Sequence, residues 1–325
     1  MKGKALVLIT AAFFLGGAAW ASPPRYVYEG KWGSTGTGNG QFDDPIGVDV
    51  AANGNVYVCE YGNNRVQYFT PTGSFLGKWG SEGSGNGQFD GPYGLAVAPN
   101  GNVYVVEQVN ERVQYFTASG SYLGKWGSSG TGDGQFNSPG GVDIKGDGSV
   151  YVADWLNYRV QYFTASGSFL GKWGSEGTGS GQFYKPLWLG VAANGAVYVS
   201  EDMNHRVQYF TSTGSYLGKW GSNGSGPGQF NVPCGVDIGV EGTVFVADGG
   251  NDRIQYFTST GSYLGVWGSY GSGNGQFNDP ADVAESPSGG RVYVSDRSND
   301  RVQYFKLQNL AVAPASLGKV KALFQ

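Results

Sequence analysis

The sequence predicts an all-β protein, a six-bladed β-propeller of four-stranded antiparallel blades. One unit recurs six times, each unit reads as four short strands, and glycine and aromatic residues are abundant. The chain of 325 residues contains 58 glycines, 15% aromatic residues and only 14% charged residues. Collagen needs glycine at every third position, and disordered chains lack aromatic residues, so neither class fits. Many tight turns between aromatic-rich strands account for this composition.

Three short motifs recur along the chain with one period. The dipeptide Gln-Phe returns every 47 residues from Gln41 to Gln276, and Trp-Gly-Ser does so from Trp32 to Trp267. The motif Arg-Val/Ile-Gln-Tyr-Phe keeps this period until its last step, which is 48 because of one extra residue near 288–290. Periods of this length are typical of solenoids and propellers.

Each unit alternates with the period of two that β-strands require. In the first unit the runs are 46–50, 55–60, 65–70 and 74–79, all rich in Val, Tyr and Phe. The dipeptide Asn53-Gly54 and its counterparts supply the positive φ angles of hairpin turns. Four antiparallel strands in a repeat of this length indicate a propeller blade.

The two ends of the repeat predict how the ring closes. The sixth unit runs through Arg301–Phe305 but has no fourth strand after it. The chain instead begins with an unpartnered run, Tyr26–Trp32, that carries the Lys-Trp-Gly-Ser ending of a fourth strand. We therefore predict that the N-terminal strand completes the last blade and leaves no exposed sheet edge.

The residues that carry the repeat resemble the NHL repeat family. Each unit reads Gly-Gln-Phe-x-x-Pro, followed by Val-Tyr/Phe-Val-x-Asp/Glu-x-x-Asn-x-Arg-Val/Ile-Gln-Tyr-Phe, as over Val150–Phe163. The resemblance covers residues 26–305 and implies a six-bladed propeller of an exported, bacterial type. It does not specify a function, because one common fold hosts many functions.

The first 21 residues are predicted to be a secretory signal peptide. Lys2 and Lys4 precede an apolar run over 5–15, and Ala19-Trp20-Ala21 forms a small-x-small cleavage site. An uncleaved N-terminal anchor is the alternative. We divide the chain into the signal peptide (1–21), the propeller (22–309) and a C-terminal tail (310–325). The expectation is an exported monomer, secreted, periplasmic or on the cell surface, with no transmembrane segment in the mature chain.

Residues present in every unit are expected to be structural. An acid precedes an Asn by three positions and an Arg by five, which predicts a buried acid–Arg pair with the Asn bonded to local backbone. The Trp of each Trp-Gly-Ser is expected to pack between blades. Outside these repeated positions and the signal peptide only eight cationic residues remain, and they are scattered along an acidic chain. That distribution excludes a nucleic-acid surface.

Departures from the repeat predict a binding site. They cluster in turns and loops of blades 3 and 4 that open on one face of a propeller: Trp155, Tyr158, Tyr184, Lys185, Trp188, Met203 and His205. Aromatic faces around a channel mouth suit sugar rings or peptide side chains, with the Lys and His as polar groups. The predicted ligand is a protein, a peptide or a glycan. The alternative is that these aromatic residues pack among themselves.

A second departure lies in the first strand of alternate blades, at Asp49, Asp143 and Asp237. Three carboxylates that project into the channel could hold Ca²⁺, which prefers oxygen ligands. Alternatively, each carboxylate faces the neighbouring blade and bonds to its backbone. Cys59 and Cys234 lie in blades that are not neighbours, which favours two free thiols over a disulfide.

Together these patterns favour an exported, non-catalytic binding or scaffold module that uses one propeller face. The alternative is a calcium-dependent hydrolase or lyase. The sequence is similar in architecture to sugar lactonases and to the amidating lyases that cleave peptidyl-hydroxyglycine. Metal-dependent lyases of that kind need several His ligands, and His205 is the only histidine.

Overall fold

The computed structural model describes residues 25–308 and contains six four-stranded antiparallel sheets. The first strand of every sheet contacts the first strands of the two neighbouring sheets, so six strands surround a central channel. The predicted six-bladed propeller is therefore confirmed. The predicted signal peptide and the tail over 310–325 lie outside the described residues.

Each sheet is one blade, and its strands follow the chain from the channel outward, except that the last blade borrows its outermost strand from the N-terminus. Strand β1 spans Arg25–Trp32. Blade 1 consists of β2 (Pro45–Val50), β3 (Val56–Glu60), β4 (Arg65–Phe69) and β5 (Phe75–Trp79). Blade 2 consists of β6 (Pro92–Val97), β7 (Val103–Glu107), β8 (Arg112–Phe116) and β9 (Tyr122–Trp126). Blade 3 consists of β10 (Pro139–Ile144), β11 (Val150–Asp154), β12 (Arg159–Phe163) and β13 (Phe169–Trp173).

Blades 4 to 6 repeat this order. Blade 4 consists of β14 (Pro186–Val191), β15 (Val197–Glu201), β16 (Arg206–Phe210) and β17 (Tyr216–Trp220). Blade 5 consists of β18 (Pro233–Ile238), β19 (Val244–Asp248), β20 (Arg253–Phe257) and β21 (Tyr263–Trp267). Blade 6 contributes β22 (Pro280–Glu285), β23 (Arg291–Asp296) and β24 (Arg301–Gln308). Short 3₁₀ turns lie at Trp155–Asn157, Gly249–Asn251 and Arg297–Asn299, and no helix within 25–308 is long and apolar enough to cross a membrane.

The ring closes as the sequence predicts. Strand β1 pairs antiparallel with β24, from Arg25 opposite Gln308 to Trp32 opposite Val302. The register shifts between Tyr28 and Gly30, where a Cβ on the glycine would collide with the ring of Tyr304. The first and last described strands therefore share one blade, which joins the two ends of the ring by backbone hydrogen bonds.

The repeated tryptophans pack between blades, as predicted. The ring of Trp32, which belongs to blade 6, lies 5.5 Å from that of Phe69 in blade 1 and 5.8 Å from that of Tyr304 in its own blade. A Cβ on Gly73, in the turn after β4, would overlap the Trp32 indole. The glycine of this turn thus leaves the space that the neighbouring blade's tryptophan fills.

A buried polar network anchors the loop that enters each blade. In blade 1, Arg65 Nε donates to Glu60 Oε1 at 2.6 Å, and its two terminal nitrogens donate to backbone oxygens of the loop over 37–41. The predicted acid–Arg pair is confirmed in all six blades. The prediction that the Asn bonds to local backbone needs correction. Asn63 Nδ2 donates to Glu60 Oε2 and to the carbonyl of Gly36, which is 27 residues away. This bond forms because the loop before the blade folds over the turn.

The propeller has two unlike faces. The loop face carries the turns between the second and third strands and the loops that join one blade to the next, as the hydrogen bond from Tyr61 N to Asp44 O illustrates. The hairpin face carries the turns between strands one and two and between strands three and four, which meet at Gly54 and Pro71. All seven predicted ligand-binding residues belong to turns, loops or strand starts at the loop-face end of their blades.

Candidate functional site

Trp188 lies inside the channel, which corrects its predicted role as a ligand platform. Its side chain is only 3% exposed and belongs to a buried cluster with Ile46 and Ala281. Its ring is 5.8 Å from that of Tyr93, and a Cβ on Gly141 would collide with it. These contacts reach from blade 4 to blades 1, 2 and 6, so the large indole fills the channel.

Trp155 lies at the channel mouth with Lys185 and Asp202. The Lys185 ammonium lies 4.7 Å from the centre of the indole ring, in a cation–π contact. Asp202 is 8% exposed, and its burial raises the pKa of the carboxyl to about 6, against the lowering effect of the Lys185 charge. Lys185 thus covers one face of the indole, so Trp155 is half-buried in a polar cluster instead of open to a ligand.

The other predicted residues form an apolar strip on the rim of the loop face. The rings of Tyr158 and Tyr184 are stacked, with centroids 5.9 Å apart and planes at 9°. Tyr184 is 36% exposed and Met203 is 48% exposed. Val232, which has the position of Lys185 in blade 5, is 37% exposed. We call these four residues, Tyr158, Tyr184, Met203 and Val232, the rim strip.

His205 has a structural partner. Its Nδ1 accepts a hydrogen bond of 3.2 Å from the backbone N–H of Val232 in the next blade. In other blades the equivalent residue makes the same bond, as Asn64 does to Gly91 and Asp252 does to Asp279. Every residue at this position has a positive φ, 50° at His205. His205 thus takes part in a hydrogen bond between blades that recurs around the ring. The residue type at this position varies, so the sequence of one turn does not reveal the contact.

The three strand-one aspartates bond to the neighbouring blade, as the second of the two sequence interpretations expects. Asp49 Oδ2 accepts from Val97 N at 2.6 Å, Asp143 Oδ2 accepts from Val191 N at 2.6 Å, and Asp237 Oδ2 accepts from Glu285 N at 2.6 Å. Burial in the channel raises the pKa of each carboxyl to about 7, and the three repel one another. These contacts give the calcium hypothesis no support, and within residues 25–308 no three His, Cys, Asp or Glu side chains are grouped to hold a metal ion.

One channel residue was not predicted from the sequence. Asp282 occupies in blade 6 the position that Trp188 has in blade 4, and it is 3% exposed. Its oxygens accept from Val48 N at 3.0 Å and from Val283 N at 2.9 Å, so it joins blade 6 to blade 1. Aligning the six units at this position would have found it. Cys59 and Cys234 are free thiols, as expected.

Comparison with known proteins identifies the repeat and the fold. The pattern of the NHL repeat matches residues 42–69, and no curated protein matches the chain in sequence. A protein of unknown function from Bacteroides thetaiotaomicron superimposes with a TM-score of 0.64 at 16% identity, over 89% of this chain and 76% of that one.

Two enzymes of known structure are also similar in fold. A gluconolactonase from Xanthomonas campestris superimposes with a TM-score of 0.61 at 14% identity, over 89% of this chain and 99% of that one. A catalytically inactive virginiamycin B lyase from Staphylococcus aureus, solved with quinupristin, gives 0.59 at 13% identity, over 88% and 99%. At these identities the likeness concerns the fold alone.

Proposed function

Because this chain is a six-bladed β-propeller with NHL repeats, we propose that it is an exported, non-catalytic binding module. Its ligand is a protein or peptide that contacts the rim strip on the loop face. The observation that carries the proposal is the exposed apolar character of this strip, since the equivalents of Tyr158, Tyr184 and Val232 in the other blades are polar residues or glycine. Residues equivalent to Tyr184 in the other five blades are all Asp or Asn: Asp43, Asp90, Asn137, Asn231 and Asn278.

The rim strip is continuous across three blades. Tyr158 of blade 3 stacks on Tyr184 of blade 4, and the His205–Val232 hydrogen bond links blade 4 to blade 5. Met203 is equivalent to Gly62 of blade 1, and Tyr184 is equivalent to Asp43 of that blade. A Cβ added to Gly62 would touch the Asp43 side chain, so the two positions are neighbours. Contiguous exposed apolar residues bounded by polar ones are typical of interaction surfaces.

The arrangement of the tryptophans favours a peptide over a glycan. Sugar rings need an open aromatic face, but Trp188 is buried and Lys185 lies over the Trp155 ring. The flexible thioether of Met203, 48% exposed, is instead suited to varied apolar side chains. The ligand class therefore narrows to polypeptides with apolar side chains.

A peptide-display library panned on the mature protein tests this proposal. We expect selected peptides to lose about tenfold or more in affinity for the double variant Tyr184→Ala/Met203→Ala, since buried anchors dominate interface energies. The matched control is Leu217→Ala, because this outer-strand side chain in the same blade is 50% exposed. A library that yields no binder, or binders equally weakened by the control, would refute the proposal.

The catalytic alternative is tested separately. A calcium-dependent hydrolase or lyase would need the carboxylates of Asp49, Asp143 and Asp237 to bind the ion in addition to the backbone hydrogen bond that each accepts from the next blade. Thermal unfolding in EDTA and in excess Ca²⁺ should give the same Tm. A rise in Tm with Ca²⁺ that the Asp143→Asn variant abolishes would restore this alternative.

We also propose that the mature protein acts outside the cytoplasm. The support is the signal-peptide pattern of residues 1–21. Mass spectrometry of the exported protein should find an N-terminus at Ser22. Intact protein beginning at Met1 in the membrane fraction would instead indicate an uncleaved anchor.

A further inference from the structure

A cavity of about 410 Å³ opens at the channel mouth on the hairpin face, opposite the rim strip. Blades 1, 4, 5 and 6 contribute its walls, with Ala192, Ile238 and Val240 among the apolar residues. Its two charged lining residues are Asp49 and Glu285, and no Lys or Arg lines it. The volume lies within the range of small-molecule sites, about 300–1,000 Å³.

The repeat breaks at this cavity in a coordinated way. Glu285 stands where the first strands of the other blades end in Val or Ile: Val50, Val97, Ile144, Val191 and Ile238. Gly239 follows β18 where the other blades have Ala, Lys or Ser, and a Cβ there would overlap the Glu285 carboxylate. Glu285 Oε2 accepts from Val240 N at 2.8 Å. The turn between β18 and β19 in blade 5 thus leaves space for the Glu285 carboxylate, and its backbone bonds to that carboxylate at the mouth of the channel.

The charges around the cavity have one prevailing sign. Glu241 lies close enough to raise the pKa of Glu285, and Asp143 and Asp237 stand behind Asp49 in the channel. Lys145 reaches toward Gly195 at the cavity's blade 4 side, but it is paired with Asp147 at 2.8 Å. A carboxylate keeps further lone pairs when it accepts one or two backbone N–H groups, so it can still bind a donor.

We propose that this cavity binds a small organic ammonium ion. The ammonium group lies between Asp49 and Glu285, and the apolar body lies against Ile238, Val240 and Ala192. Neutral and anionic compounds of the same shape are rejected, because they leave the carboxylates without a counter-charge. This site is on the face opposite the rim strip, so it does not depend on the proposed peptide binding.

The test is calorimetric titration of the full mature protein with three compounds of one shape: phenethylammonium, phenethyl alcohol and phenylacetate. The titrations are run at pH 8, above the pKa of about 7 to which burial raises Asp49. We expect binding of the ammonium compound only, and an affinity about tenfold or more weaker for Glu285→Gln. The exposed Glu82→Gln on the loop face is the matched control and should bind as the parent does.

A second variant keeps the test valid if the Glu285→Gln variant does not fold. Glu285→Val places the residue of blades 1, 2 and 4 at this position, so the strand should form while ammonium binding is lost. Equal affinity for phenethyl alcohol, unchanged affinity in both Glu285 variants, or no binding of phenethylammonium would each overturn the proposal. None of these outcomes bears on peptide binding at the rim strip, which the Met203 and Leu217 variants measure.

Discussion

At the scale of single residues, the repeated arginine stabilises each blade by bonding to groups distant in sequence. Arg159 Nε donates to Asp154 Oδ2 at 2.7 Å, and its terminal nitrogens donate to backbone oxygens of Thr131, Gly132 and Gln135. The Asp154 side chain is fully buried, so without the guanidinium its charge would be uncompensated. One side chain thus satisfies a buried acid and fixes the loop that leads into the blade.

We predict that Arg159→Ala lowers the free energy of unfolding by about 3–5 kcal/mol, because it leaves Asp154 buried without its partner. Lys172→Ala is the control, since it breaks an ion pair with Asp133 in which both side chains are largely exposed. That exposed pair should contribute at most about 1 kcal/mol. Urea unfolding of both variants measures the difference, and equal losses would contradict a special role for the buried pair.

At the scale of elements, carboxylates hold neighbouring inner strands together. Asp49 joins β2 to β6, Asp143 joins β10 to β14, and Asp237 joins β18 to β22, so the bridges alternate around the ring. The positions between them are Ala96, Gly190 and Ala284. Six carboxylates at this strand position would repel strongly, and the alternation keeps the number at this position at three.

These aspartates predict an unusual pH dependence of stability. Burial raises the pKa of Asp143 from 3.8 to about 7, so the folded protein holds a proton that the unfolded chain releases between these values. Stability should therefore fall as pH rises from about 4 to about 7 and level off above. Asp49 and Asp237 act in the same direction.

The measurement is the free energy of unfolding of parent protein and Asp143→Asn at pH 5 and pH 8. We expect the parent to be more stable at pH 5, and the difference between the two pH values to shrink by roughly 2 kcal/mol in the variant. Asp133→Asn, at an exposed position, should leave the difference unchanged. A parent protein that gains stability between pH 5 and pH 8 would disprove the assignment.

At the scale of the whole molecule, the ring depends on strand β1. It pairs with β24, carries Tyr26 and Trp32 into the packing between blades, and bears Glu29, which bonds Arg291 at 2.7 Å. The Tyr26 ring lies 4.9 Å from that of Trp267 in blade 5, so β1 also joins blade 6 to its other neighbour. Loss of this strand would expose both the edge of β24 and the aromatic groups it covers.

We predict that deletion of residues 22–32 lowers Tm by roughly 10 °C or more, because several large buried aromatic side chains are lost. A circular permutant that begins at blade 1 and places residues 25–32 after residue 308 should regain most of the parent's Tm. In this permutant the four strands of blade 6 follow one another along the chain, and the contacts of the closing strand are kept. If the permutant is as unstable as the deletion variant, the closure itself is not what stabilises the ring.

The repeat made the fold predictable from sequence, while much of the candidate site was not. Blade number, strand order and closure follow from local alternation copied six times, as at Arg301–Phe305 and Tyr26–Trp32. The rim residues Tyr184 and Met203 were found as departures from the repeat, and both are exposed. Trp188 was a departure of the same kind, yet it is buried. A departure shows that a position differs, but not which way its side chain points.

Local patterns in the sequence predict a closed six-bladed ring, because strand alternation and turn residues act over a few neighbouring positions. The tertiary structure decided that Trp188 fills the channel, that Asp49 bonds to the next blade, and that Asp49 and Glu285 share one cavity. These arrangements bring together residues that are distant in the sequence, such as Ile46 and Trp188. They depend on how closely six inner strands approach the axis, which no local pattern encodes.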